Sequence, residues 1–113
     1  MVKPVYSPER GDILWIQFEP QAGHEQAGRR PALVISPRAY NIKVGLALMC
    51  PITLKAKGYP FEVQLPLDLK VSGVVLADQV KNLDWQIRKA EFLCKAPEEV
   101  VAEVISKIQV LIT

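Results

Sequence analysis

Clusters of glycine, proline and aspartate cut this chain into short apolar runs, and only its final stretch escapes that punctuation. A packed helix needs roughly ten or more residues with one apolar face, so most of these runs are too short for helices and read as strands. Residues 11–18, rich in branched and aromatic side chains, form the first, introduced by a Pro and Gly turn. Residues 31–36 and 46–52 read as buried strands joined by a turn-like segment, 37–45. Further strands fall at 61–65, 73–77 and 88–95. Short, regularly spaced strands predict a small antiparallel barrel. The end differs: Pro97 suits a first helical position, Glu98 and Glu99 suit the positive helix end, and Val100, Val104, Ile108 and Leu111 recur at helical spacing. The predicted fold is mainly β with a C-terminal helix packed on the barrel.

The length of 113 residues, half of them hydrophobic, fits one domain spanning 1–113. No run approaches the roughly 20 apolar residues of a membrane span, and residues 1–6 lack the apolar stretch of a secretory signal, so the expected location is the cytoplasm. Cys50 and Cys94 lack the spacing of a zinc or redox pair and read as buried, reduced thiols. His24 is the single histidine, and no Asp or Glu cluster replaces a histidine site. Neither a metal nor another cofactor is expected.

The net charge of +2 is small but uneven. Residues 1–60 carry eight Lys or Arg against four acids, and the remainder carries six against eight. That asymmetry fits one face for a polyanion and another that does not attract it.

Residues 19–30 contain Pro20, Gly23 and Gly28 and no apolar periodicity, so they are expected to form a long mobile loop. Where this loop meets the following strands, Glu25, Arg30 and Thr53 stand on otherwise apolar scaffolding. Arg30 precedes Pro31 at a strand start, which suits an anchored phosphate clamp. Thr53 ends a strand, and Lys55 and Lys57 follow in a basic turn closed by Gly58. A carboxylate, a guanidinium and a hydroxyl can take a proton, neutralise a phosphorane and hold an oxygen. The bland alternative is a surface ion pair beside a strand end. A second set, Asp78, Gln79 and Lys81 followed by Trp85 and Arg88, mixes a ring with polar and cationic groups in the way single-stranded RNA is held. There the alternative is that Trp85 belongs to the core and the others to a solvated edge.

At these residues the sequence resembles the MazF/PemK/Kid family of toxins from toxin–antitoxin pairs, nearly end to end. Gly11-Asp12 leads into Trp15; Glu25-Gln26-Ala27-Gly28 precedes Arg30-Pro31-Ala32; Pro51 and Thr53 follow. After them come residues 57–63, then Ala77-Asp78-Gln79-Val80-Lys81, and the closing helix. The resemblance implies an SH3-like barrel, the CcdB/MazF fold, forming a homodimer whose grooves receive RNA. It implies a metal-independent endoribonuclease in which a 2′-hydroxyl attacks the adjacent phosphate, leaving a 2′,3′-cyclic phosphate and a 5′-hydroxyl. By that likeness Arg30 is the principal phosphate ligand and proposed proton donor, Thr53 stabilises the phosphate, and Glu25 is the base or orients it. Because arginine's free pKa lies above about 12, charge stabilisation suits Arg30 better than proton transfer. Lys57, Asp78, Gln79, Lys81 and Arg88 match substrate-binding positions. The implied partners are single-stranded RNA and a MazE-like acidic antitoxin whose disordered tail folds across the basic groove, with DNA met only through the antitoxin complex.

Two departures stand out: Thr53-Leu54 where close relatives often have two hydroxyl residues, and His24 where they often have serine. Two other functions compete. A CcdB-like gyrase poison carries a C-terminal Trp-Gly-Ile, whereas this sequence reads Leu111-Ile112-Thr113. A non-catalytic barrel that binds RNA or peptide has no need of the Arg30 and Thr53 pair.

Overall fold

A computed structural model of the chain describes residues 5–18 and 28–113. Its strands are β1 (Asp12–Gln17), β2 (Arg29–Val34), β3 (Ala47–Thr53), β4 (Glu62–Gln64), β5 (Val74–Leu76), β6 (Lys81–Leu83) and β7 (Glu91–Lys95). Two helices, α1 (Arg38–Val44) and α2 (Glu98–Ile112), and a 3-10 turn at Ala77–Gln79 complete the described elements. The sheet runs β4-β5-β3-β2-β1-β7, with β6 beside β3, and the pairings are antiparallel. The expected mainly-β architecture with a closing helix is therefore present, and the strands curl as a barrel-like sheet whose end strands β4 and β7 are not joined.

The central strands are buried on both faces, which explains their nearly continuous apolar sequences. One face, with Ile13, Leu33, Cys50 and Ile52, packs on Val100, Val101 and Val104 of α2. Each valine sealed there contributes about 1.5 kcal/mol or more. The other face, with Leu14, Ile16, Val34 and Met49, packs on Leu83 and Trp85. Pro97 takes the position before α2, with extended ψ of 148°, one residue earlier than the sequence suggested.

Four expectations need correction. Residues 37–45 contain α1 rather than a turn, capped by Gly45 in the left-handed region at φ 80°. The short apolar content of this helix hid it; a buried Asn41 holds it instead, donating to the carbonyls of Pro8 and Ser36 at 2.9 and 3.0 Å. β2 begins at Arg29, so Arg30 lies inside a strand rather than at the end of a loop. β6 was not anticipated, because its three residues carry only one buried side chain, Leu83. Cys94 is only partly buried, whereas Cys50 is fully enclosed, and both are free thiols. The loop expected to be mobile falls largely on residues 19–27, outside the described residues, together with Glu25 and His24.

Candidate active site

Strand alternation places Arg30 and Thr53 on one side of the sheet. Arg30 shares its parity with Ala32 and Val34, Thr53 with Met49 and Pro51, and those residues face the Trp85 side. The β2–β3 register pairs Ala32 with Pro51, Leu33 with Cys50 and Val34 with Met49. Continued two residues outward, it sets Arg30 opposite Thr53. Both residues border one cavity of about 630 Å3 at these strand ends, and the apolar part of that cavity, Ile52, Val71 and Leu93, belongs to the face covered by α2.

The two arginines at the start of β2 differ in their surroundings. Arg29 donates to the Glu91 carboxylate at 2.6 Å and to the Lys89 carbonyl at 3.2 Å, and its guanidinium lies 5.8 Å from the centre of the Trp15 ring. Arg30 is exposed and has no such partner among the described residues, so its donors are available to a ligand. The Thr53 hydroxyl oxygen accepts from the Lys55 backbone N–H at 3.1 Å. That bond orients the oxygen and leaves its own O–H free to donate. Together they offer a cation and a hydroxyl donor across one pair of strands, which suits stabilisation of a phosphorane.

The other expected residues divide. Lys81, on β6, sits with its ammonium 5.9 Å from the centre of the Phe18 ring. Arg88 reaches the same place, but its guanidinium donates to the carbonyls of Gln17 and Phe18 at 3.2 and 2.6 Å. Arg88 thus ties down the end of β1. Lys57, Asp78 and Gln79 are exposed and do not line the cavity; the Lys57 N–H is held by the Glu62 carboxylate at 3.0 Å. Trp85 belongs to the core, 6 % exposed, and its indole N–H donates to the Asn41 carbonyl at 3.3 Å, so the stacking role is withdrawn. Cys50 offers no nucleophile: burial, with the Asp78 charge added, pushes its thiol up to about 12.

Lys70 and Ser72, in the turn before β5, line the cavity beside Lys55. Nothing in the local sequence around Lys70 marks it, because the turn of residues 66–73 comes back to the site only through the β4–β5 pairing.

Comparison with known proteins shows the family. Residues 9–112 match the family model described as PemK-like, MazF-like toxin of type II toxin–antitoxin system. The endoribonuclease toxin MazF of Escherichia coli K12 is 47% identical over 107 residues, covering 95% of this chain and 96% of that protein. The crystal structure of MazF from Deinococcus radiodurans superposes with a TM-score of 0.88 at 58% identity, covering 96% of this chain and 98% of that one. A MazE–MazF structure from the same organism gives 0.85 at 52%, with 96% and 97% covered. The apposition of Arg30 and Thr53 at the ends of β2 and β3 is thus found in a chain that belongs to the MazF-like, PemK-like toxin family of type II toxin–antitoxin systems.

Proposed function

We propose that this chain is an endoribonuclease toxin that cuts single-stranded messenger RNA in the cytoplasm, as one domain in a homodimer, and is restrained by a MazE-like antitoxin. The observation that carries this is the register that sets Arg30 opposite Thr53 at the border of one cavity, with the arginine free of partners among the described residues. The relatives named endoribonuclease and the MazE–MazF complex supply its context. DNA is met only through the toxin–antitoxin complex.

The nucleophile comes from the substrate. With one histidine, the chain has no evident means of making hydroxide at neutral pH, whereas RNA already holds a 2′-hydroxyl beside each phosphate. Glu25 takes or orients that hydroxyl's proton, Arg30 neutralises the phosphorane, and the Thr53 hydroxyl donates to a non-bridging oxygen. As the bond from the 2′-oxygen to phosphorus forms, the bond to the 5′-oxygen breaks; that oxygen takes a proton from solvent to become the 5′-hydroxyl, and the phosphate closes as a 2′,3′-cyclic ester. Lys57, Asp78, Gln79 and Lys81 contact more distant parts of the strand, and Arg88 contributes by fixing the end of β1 near them.

Cleavage of a long single-stranded RNA in EDTA tests the proposal. Activity should persist, leave cyclic-phosphate ends, and vanish when the nucleotide 5′ to the scissile bond is deoxy. Arg30→Ala should lower turnover by about two to three orders of magnitude in a folded protein. Efficient cutting of the deoxy substrate would rule out the mechanism.

A further inference from the structure

The cavity holding Arg30 and Thr53 is larger than those two residues need. Its volume of about 630 Å3 suits a nucleotide rather than a lone phosphate. Four cations line it, Arg29, Arg30, Lys55 and Lys70, and among the described residues its lining contains no carboxylate. Glu91 neutralises Arg29. Lys55 and Lys70 are exposed and, like Arg30, have no ion-pair partner among the described residues. Three positive charges around the mouth of one cavity give it a local positive potential that attracts an anion.

These charges stand on separate supports. Arg30 rises from β2, and Lys55 follows the Thr53 turn. Lys70 belongs to the turn before β5, which Gly73 brings against the end of β3. Gly73 has φ 119°, and a Cβ there would stand 2.9 Å from the Thr53 carbonyl carbon and closer still to its oxygen. Only glycine permits that approach. The Gly73 carbonyl is held in turn by the Leu65 N–H at 3.0 Å and the Gln64 amide at 3.1 Å. Lys70 is therefore carried on a wall fixed against Thr53, and its flexible stem suits a point charge meeting a phosphate rather than a bidentate clamp.

We propose that Lys55 and Lys70 bind a second phosphate of the RNA strand, adjacent to the one held by Arg30 and Thr53. The proposal rests on the ribonuclease reading above and adds a subsite to it. The lysines act in binding, while Arg30 and Thr53 act on the reacting group.

The test uses a short RNA with one cleavable linkage and two modified forms, each with an uncharged methylphosphonate at one of the two flanking linkages. For the wild-type protein, one modification should raise KM about tenfold, the scale of one lost charge-assisted hydrogen bond. The Lys55→Gln/Lys70→Gln variant should show a comparable rise on unmodified RNA and no further rise on that modified form. Lys55→Arg/Lys70→Arg should restore the wild-type pattern. The single Gln variants, read the same way, serve if the double variant does not fold. The inference is overturned if both proteins lose equally on the modified RNA, if neither modification affects the wild type, or if the lysine variants keep a normal KM while binding an acidic peptide less well. A wild-type protein that cuts no RNA would instead remove the ribonuclease reading, and this inference with it.

Discussion

Arg29 and Arg30 are identical side chains one residue apart, and alternation along β2 sends them to different fates. Arg29 is committed to Glu91 and the Trp15 ring, Arg30 to nothing in the described protein. Removing them should therefore have opposite consequences. Arg29→Ala should cost about 1 kcal/mol of stability through lost packing and pairing, seen as a lower urea midpoint. Arg30→Ala should leave that midpoint within about 0.5 kcal/mol and abolish most turnover. If Arg29→Ala proved the more damaging to catalysis in a folded protein, the assignment would be reversed. The sequence pointed to Arg30 through its place before Pro31, the family resemblance gave it the same role, and the register adds that it lies opposite Thr53. Tyr6 gives a second residue-scale outcome. Its hydroxyl donates to the buried Asp12 carboxylate, which also accepts from the Glu9 N–H and pairs with Lys95 at 2.6 Å. Burial, then that hydrogen bond and the Asp12 charge, push the Tyr6 pKa well above its ordinary value. The unfolded chain releases this proton near pH 10 while the folded one keeps it. The contribution of Tyr6 is thus fully present below about pH 10 and is lost as pH rises beyond it. Urea melts of wild type and Tyr6→Phe should converge above that pH, and a constant gap from pH 8 to 11 would contradict the linkage.

Elements were legible in proportion to how far apolar pattern alone decides them. β1 and β3 are continuous apolar runs between turns and α2 repeats its apolar residues at helical spacing, and they were found within a residue or two. α1 was missed because polar chemistry holds it. Asn41, 0 % exposed, donates to two carbonyls, accepts from the Ser36 hydroxyl at 2.6 Å, and offers its own carbonyl to the Trp85 indole. One residue of a seven-residue helix thereby joins the N-terminal segment, the end of β2 and the core tryptophan. Asn41→Ala should cost about 2 to 4 kcal/mol, since it strands the Pro8 and Ser36 carbonyls and opens a cavity. Calorimetry would read this as a marked fall in melting temperature, and a loss under about 0.5 kcal/mol would show that water replaces the amide. Trp85 was ambiguous for the same reason: an indole flanked by Asp, Lys and Arg suits a stacking platform as well as a core, and only the tertiary hydrogen bond to Asn41 decides.

At the scale of the whole molecule, the charge argument from the linear sequence was half sufficient. It placed the polyanion face in residues 1–60, yet the cavity draws Arg30 and Lys55 from that half and Lys70 from the other. What assembles the face is the β4–β5 hairpin folding back on the end of β3. A net charge of +2 gives little long-range attraction, so RNA affinity should depend on the few local cations. Each phosphate neutralised on a single strand contributes about −0.7 to the slope of log affinity against log salt. With two phosphates engaged, one by Arg30 and one by Lys55 and Lys70, the slope should be about −1.4, and affinity should fall roughly 7-fold between 50 and 200 mM salt. Thr53→Ala, which retains all three cations but lacks the hydroxyl donor, keeps the RNA intact during such a titration. Replacing both Lys55 and Lys70 as well should flatten the slope by about 0.7. A slope near zero would mean that the cavity cations do not meet phosphates at all, and a slope steeper than about −5 would mean that most contacts lie on another face.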